Sequence, residues 1–454
     1  MKNYHFFLLL LLGTQLKAQI CFEESKMFFS GTRPNTPLTA DFNRDGYADI
    51  ALTHFDYSGF SISFGNSTGN FSLDSSYHLN LSGSIPGLIL SKDFNRDGFI
   101  DLATVDELGK IYIHLGNGDG TFLTEVSSIP GFYPSGLCSA DFNGDSIPDI
   151  AVSSNAPANN INIYFGNDSG GFNASQQYSV EQWPQDIITL DINRDGKMDL
   201  ISANGGGGTG KVVTFLMGNG DGSFYPGQKI TTEDSPTKLL GSDFNSDGWP
   251  DLGIVTKKNI FILISSSNGG FLTTDTIPVI NQIISIISDD FNGDKKNDLA
   301  LTQKDSNYIS VYLGNGNGYF LESLNFKVAN LLGDLCSADF NKDGKVDIAV
   351  TNGRNYFTGD VRILLNCSST GFEKIADKTE LTVYPNPSSN QFFIEYSTSN
   401  NKLLQLFDLS GKLLITQNFT DKTELDATSL NEGVYLLCIK STNGVIYRKL
   451  EMAR

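Results

Sequence analysis

Oxygen-bearing side chains recur in this chain at a spacing that suits a hard metal cation. The stretch DFNRDGYAD, residues 41–49, places carboxylates at Asp41, Asp45 and Asp49 and a carboxamide at Asn43. The pattern returns with Asp93, Asn95, Asp97 and Asp101, then with Asp141, Asn143, Asp145 and Asp149, and again with Asp191, Asn193, Asp195 and Asp199. Asp243, Asn245, Asp247 and Asp251 form the fifth copy, Asp290, Asn292, Asp294 and Asp298 the sixth, and Asp339, Asn341, Asp343 and Asp347 the seventh. Oxygens at positions 1, 3, 5 and 9 bend a loop around a point, and Gly at position 6 permits the sharp turn. Such ligands, completed by the carbonyl of position 7, suit Ca2+. An EF-hand would need Glu at position 12 and flanking helices. Position 12 of the first copy is Leu52, inside an apolar run. The expectation is a strand-to-strand turn binding Ca2+, with up to seven ions in the chain.

The same residues could instead form side-chain-capped turns without metal. Energetics favour the cation. Two carboxylates about 4 Å apart repel by roughly 4 kcal/mol at an effective dielectric of 20. Ser146 and Lys295 replace the Gly of position 6, and Lys296 adds a charge, so those two loops are expected to bind more weakly. The formal net charge is −19. Seven Ca2+ would add 14 and bring it to −5, so the loops account for most of the acidity. That acidity disfavours nucleic acid and anionic membrane surfaces as partners.

Something must hold these loops. Each is followed by an apolar strand, such as IALT, LATV or IAVS, and then by a second strand, such as INIYFG at 161–166. A turn ending in Gly-x-Phe comes next, for example GNGDGTF at 116–122, followed by a short third strand and another leading into the next Asp. Four strands per ~50-residue unit, repeated seven times, predict an all-β protein with a seven-bladed β-propeller. A calcium β-roll has similar turns but a far shorter period. In five units the Gly-x-Phe ring (Phe122, Phe172, Phe224, Phe271 and Phe320) stands 19 residues before the next loop Asp; Phe71 stands 22 before. Phe22 also stands 19 before Asp41, although no unit precedes it. Residues 22–31 are therefore expected to be the outer strand of the last blade, closing the ring and removing open sheet edges.

The first 18 residues combine Lys2, an apolar run from Phe6 to Leu12 and Ala18, and read as a secretory signal peptide. Ile20 stands where a lipoprotein would want a small residue before Cys21. No later segment is apolar for long enough to span a membrane. Export permits disulfides, although five cysteines do not make a disulfide scaffold. Cys21 precedes the donated strand and Cys367 lies in the blade that receives it, so these two are expected to pair. Cys138 and Cys336 occupy equivalent inner-strand positions and are expected to be free, buried thiols.

The nine-residue loops, with Phe64–Gly65, Phe165–Gly166 and the related Leu115, Met217 and Leu313 before Gly, resemble the FG-GAP or VCBS repeat family, whose best-known members are the integrin α-subunit propellers. The resemblance covers about 22–372 and implies the propeller and its calcium. Residues 373–380 read as a linker. Residues 381–454 then show Tyr384-Pro385-Asn386-Pro387, an Asp408–Lys412 turn and Leu430-x-x-Gly433-x-Tyr435. This tail, a small β-sandwich, resembles the type A sorting domain of type IX secretion cargo. The resemblance implies secretion-machinery partners and a surface or extracellular location. A carbohydrate-binding sandwich is the alternative.

His54, His78 and His114 lie in no metal-ligand or nucleophile spacing, and GGGG at 205–208 reads as a hairpin turn. No catalytic residue is identified. The expectation is a secreted binding protein for a protein or glycan ligand; the alternative is a polysaccharide lyase built on the same scaffold. In a four-stranded meander the calcium loops and the Gly-x-Phe turns share one face. The opposite face then carries the ligand loops, with Tyr57 and Phe60 in blade one, Arg354, Tyr356 and Phe357 in blade seven, and Arg33 between them.

Overall fold

A computed structural model describes residues 20–453 apart from 24–25, 32, 56–58, 79–85, 107–108, 124–126, 131–132, 156, 209, 267–269, 322, 330, 353–358, 369–380, 397–401, 409–412 and 442–443. The signal-peptide and linker readings lie outside the described residues. The chain forms two compact units, residues 1–370 and 371–454. No helix among the described residues is long and apolar enough to cross a membrane.

In the first unit the described residues form seven four-stranded antiparallel sheets. The first sheet runs Pro34–Ala40, Asp49–His54, Gly59–Phe64 and Ser72–His78, in that order from inside to outside. Each later sheet repeats this meander, and each innermost strand packs on that of the next sheet. Leu332–Ala338, the innermost strand of the seventh, packs on Pro34–Ala40 of the first, so the sheets close into a ring. The sequence pattern explains the layering. The second strand of every sheet is buried almost throughout, as in Asp49–His54 and Asp101–Asp106, because sheets lie against both its faces. Continuous apolar runs suit such a place.

Among the described residues the core of this unit is divided into seven clusters, one for each gap between neighbouring sheets. Phe42, Ile62 and Leu102 fill the first gap, and Ile50, Leu52, Phe340 and Val361 fill the seam between the seventh sheet and the first. Position 2 is Phe in six loops and Ile192 in the fourth, and the six rings point into these gaps. Phe42 meets Phe122 edge-on at 5.9 Å, Phe94 meets Phe172 at 5.7 Å, and Phe142 meets Phe224 at 5.6 Å. Phe244 meets Phe320 at 5.7 Å, and Phe340 meets Phe71 across the seam at 5.4 Å. The Phe of one loop thus meets the Gly-x-Phe ring of the following sheet edge-on, a favoured aromatic geometry.

Lys26–Gly31 is the outermost strand of the seventh sheet, antiparallel to Gly359–Leu364 with Phe28 opposite Val361. Phe22 bridges Asn366 just as Phe122 bridges Gly116 and Phe320 bridges Gly314. The ring is therefore completed by a segment that precedes the first sheet in sequence. Cys21 and Cys367 are joined in a disulfide with their Cα atoms 5.0 Å apart. Cys138 and Cys336 are free as expected, but only Cys336 is buried; Cys138 is half-buried.

The second unit pairs a three-stranded sheet (Leu381–Tyr384, Gln391–Tyr396, Lys422–Asp426) with a four-stranded one (Leu413–Phe419, Lys402–Phe407, Gly433–Ser441, Gly444–Met452). Phe392 and Ile394 from the first sheet and Leu404, Leu406, Leu437 and Leu450 from the second share one buried cluster, which makes the unit a sandwich.

Candidate functional site

The seven acidic loops fold alike, and their own amides explain the shape. In the first, the Asp41 Oδ2 atom accepts a hydrogen bond from the Gly46 amide at 2.9 Å. Asn43 Oδ1 accepts from the Asp45 amide at 3.0 Å, and Asp45 Oδ1 from the Tyr47 amide at 2.8 Å. Position 9 ties the loop to the sheet. Asp49 accepts from the Phe42 amide at 2.9 Å with one oxygen and from the Gly65 amide, at the end of the third strand, at 3.0 Å with the other. The equivalent pairs recur at Asp101, Asp149, Asp199, Asp251, Asp298 and Asp347. All seven of these carboxyls are wholly buried.

The loops carrying Ser146 and Lys295 are built as tightly as the rest. Positions 4 and 6 are both left-handed in every copy, with φ 60° at Arg44 and 83° at Gly46 in the first. Each loop has one glycine across the two places. Where position 6 is Ser146 (φ 67°) or Lys295 (φ 66°), position 4 is Gly144 or Gly293. The amides of Ser146 and Lys295 still donate to Asp141 and Asp290 at 2.8 Å.

Burial raises Asp49 to about 6, helped by the charges of Asp45 and Asp41 and opposed by the two amides. Asp101, Asp149, Asp199 and Asp347 behave alike, Asp298 reaches about 7, and Asp251 is also raised, in each case first through burial. The loops therefore bring three mutually repelling carboxylates together, one of them cut off from water. Among the described residues no group of three or more His, Cys, Asp or Glu side chains stands ready to hold a metal ion; in the first loop Asp41 Oδ2, Asp45 Oδ1 and both oxygens of Asp49 accept from backbone amides. The donor set still fits a hard cation in kind, being all oxygen. In the first loop Asp41 Oδ1 is buried with no hydrogen-bond partner.

Loops and Gly-x-Phe turns lie on one face. The amides of Gly120, Gly222 and Gly318, in the turns of the second, fourth and sixth sheets, donate to the carbonyls of Phe42, Phe142 and Phe244 in the preceding loops at 2.8–3.1 Å. Each turn thus covers its neighbour's loop. Position-4 cations also reach across, with Arg44 over the ring of Phe99 (5.2 Å), Arg194 over Trp249 (3.8 Å) and Lys342 over Tyr47 (4.2 Å). Sequence reading missed these pairs, although positions 4 and 7 of successive loops carry the signal.

The expected ligand loops fare differently. Phe60 is a correction: it lies in Gly59–Phe64, wholly buried, against Phe122 and His114. Its alternation within the strand turns it into the gap between sheets. Tyr57, Arg354, Tyr356 and Phe357 lie outside the described residues. Arg33 sits over the ring of Phe55 at 5.2 Å. His54 and His114 are buried, bonded to Ser61 Oγ at 2.8 Å and Thr104 Oγ1 at 3.2 Å.

Five copies of an FG-GAP-like repeat match at 93–152, 141–202, 191–254, 243–300 and 290–350, together more than half of the chain. A secretion system C-terminal sorting domain matches at 382–452. Phosphatidylinositol-glycan-specific phospholipase D from Homo sapiens is 26% identical over 216 residues, covering 38% of this chain and 25% of that protein. The Mus musculus enzyme is 25% identical over 221 residues, covering 39% and 25%. The chain thus spans about a quarter of the length of these curated relatives. Among solved structures, BBS1N in complex with ARL6DN superposes with a TM-score of 0.54 at 12% identity, covering 76% of this chain and 97% of that one. Chaetomium thermophilum Raptor gives 0.53 at 11%, covering 77% and 29%. At such identities the likeness shows the fold alone. The sorting domain marks a protein sent by type IX secretion to the cell surface or the extracellular space, and the repeats place the chain in the FG-GAP-like repeat family.

Proposed function

We propose that this secreted repeat protein is a binding module for a protein or glycan, braced by Ca2+ on one face of its propeller and engaging its ligand on the other. The observation that carries the reading is the first loop. There the charges of Asp45 and Asp41 act on the buried Asp49, and a buried oxygen of Asp41 has no hydrogen-bond partner. The residues at positions 1, 3, 5 and 9 of each loop would hold the ion, which would supply the positive charge their carboxylates lack. Loops braced in this way suit a scaffold, leaving the opposite connections to carry recognition. Calcium titration by calorimetry, with thermal melts in calcium and in chelator, tests the brace. Uptake of up to seven ions and a melt higher by many degrees are expected. Identical melts and no uptake would overturn it.

A second reading, catalysis, is favoured by the curated relatives, which are phospholipases acting on phosphatidylinositol-glycan. A turnover assay on glycans and glycolipids separates the two. A binder retains ligand without making product.

A further inference from the structure

On the face away from the acidic loops, a groove of about 420 Å3 runs along the sixth sheet. Its wall is built from the connection between the fifth and sixth sheets (Ile280, Asn281), the end of the second strand (Gln303), the third strand (Tyr308, Ser310) and the outer strand (Asn325). The volume falls within the range of about 300–1,000 Å3 typical of small-ligand sites. In a chain with a net charge of −19, no charged side chain among the described residues lines it.

We propose that this groove binds a neutral sugar, one unit or a short stretch of an uncharged glycan; the proposal rests on the binding reading above. Three observations support it. Ile280 is 94% exposed and Tyr308 40% exposed, large apolar surfaces given to solvent beside a concavity. A pyranose ring presents an apolar C–H face that such surfaces cover, and a tyrosine ring combines that body with a polar tip. Next, the carboxamides are set to donate. The Gln303 Oε1 atom accepts from the Asn281 amide at 3.1 Å, and Asn325 Oδ1 from the Ser310 hydroxyl at 2.6 Å. With their oxygens engaged, the NH2 groups of Gln303 and Asn325 remain as donors, and the hydroxyls of a sugar accept. Finally, the described wall contains neither the cations that an anionic glycan, phosphate or nucleic acid would require nor the carboxylates that would hold a cation. A site built to pair buried hydroxyls rejects ligands that lack them.

The test uses the full chain on an array of neutral and anionic glycans. It is followed by titration of the best neutral oligosaccharide into wild type, Tyr308→Ala, Asn325→Ala and Ile280→Arg. Binding confined to neutral glycans is expected, weakened roughly tenfold or more by Tyr308→Ala, with the melting temperature held. Ile280→Arg, at a fully exposed site, should block the groove without touching the core, which keeps the test sound if Tyr308→Ala is poorly folded. A silent array, preference for anionic glycans or peptides, or unchanged affinity in all three variants would overturn the groove. Affinity retained in the variants would still leave the binding reading standing, whereas product formation from the bound glycan would overturn that reading.

Discussion

Lys342 Nζ stands 4.2 Å from the centre of the Tyr47 ring, across the seam where the seventh sheet meets the first. The same contact joins Arg44 to Phe99 and Arg194 to Trp249, always from position 4 of one loop to position 7 of the next. Where position 7 is Lys197, Lys296 or Lys345, position 4 of the preceding loop is Gly144, Ser246 or Gly293. Three of the four position-4 cations meet rings, while the fourth, Arg96, is followed by Ile147 at position 7 of the next loop and lies 3.9 Å from Asp168; like charges are kept apart. Exposed cation–π contacts are worth about 0.5–1 kcal/mol. Lys342→Ala and Tyr47→Leu should each lower stability by about that amount, and the double variant by less than the sum. A cycle by urea denaturation checks this. Gly293→Arg, facing Lys345, should destabilise more.

The glycine exchange between positions 4 and 6 is also measurable. Gly144→Ala forces a side chain into φ 80° and should cost about 1–2 kcal/mol. Lys295→Gly, relieving φ 66°, should cost nothing or stabilise. Equilibrium unfolding of the two variants decides it; equal destabilisation would contradict the compensation.

The disulfide spans 346 residues. Replacing Cys21 and Cys367 with Ser together should lower the unfolding free energy by about 2–4 kcal/mol. Limited proteolysis should then cut first near residues 19–31, since the donated strand loses its tether. An unchanged unfolding midpoint would show that pairing of Lys26–Gly31 alone closes the ring.

His114 is held at about 4 by burial, below the ordinary 6.5. Protonation therefore favours the unfolded chain. Its neutral burial supports the fold fully above pH about 6.5. That support is lost as pH falls toward 4, by at most about 3 kcal/mol. The difference in unfolding free energy between wild type and His114→Gln should shrink by up to that amount between pH 7.5 and 4.5. A pH-independent difference would rule it out.

Removing 381–454 deletes the sorting domain while leaving the propeller, a separate compact unit. The shortened chain should fold, melt cooperatively and be retained by the cell, as fractionation would show. Its normal secretion would contradict the role of the tail.

The architecture is legible in the sequence because seven copies of one pattern carry it. An Asp-led loop, a buried strand and a Gly-x-Phe turn can each be read from neighbours in the chain, and the 19-residue interval from Phe22 to Asp41 is enough to mark the donated strand. Local chemistry determines those parts, since backbone turns and strand burial depend on residues a few places apart. What joins the sheets is not legible in this way. The partner of Phe42 is Phe122, and the partner of Lys342 is Tyr47, about 300 places away. Phe60 resembles a loop aromatic from its neighbours, yet it is core, because only the next sheet supplies the surface that buries it. The groove beside Tyr308 draws its wall from four segments of chain. Contacts between elements depend on how the sheets stack around the ring, and only the tertiary structure decides that.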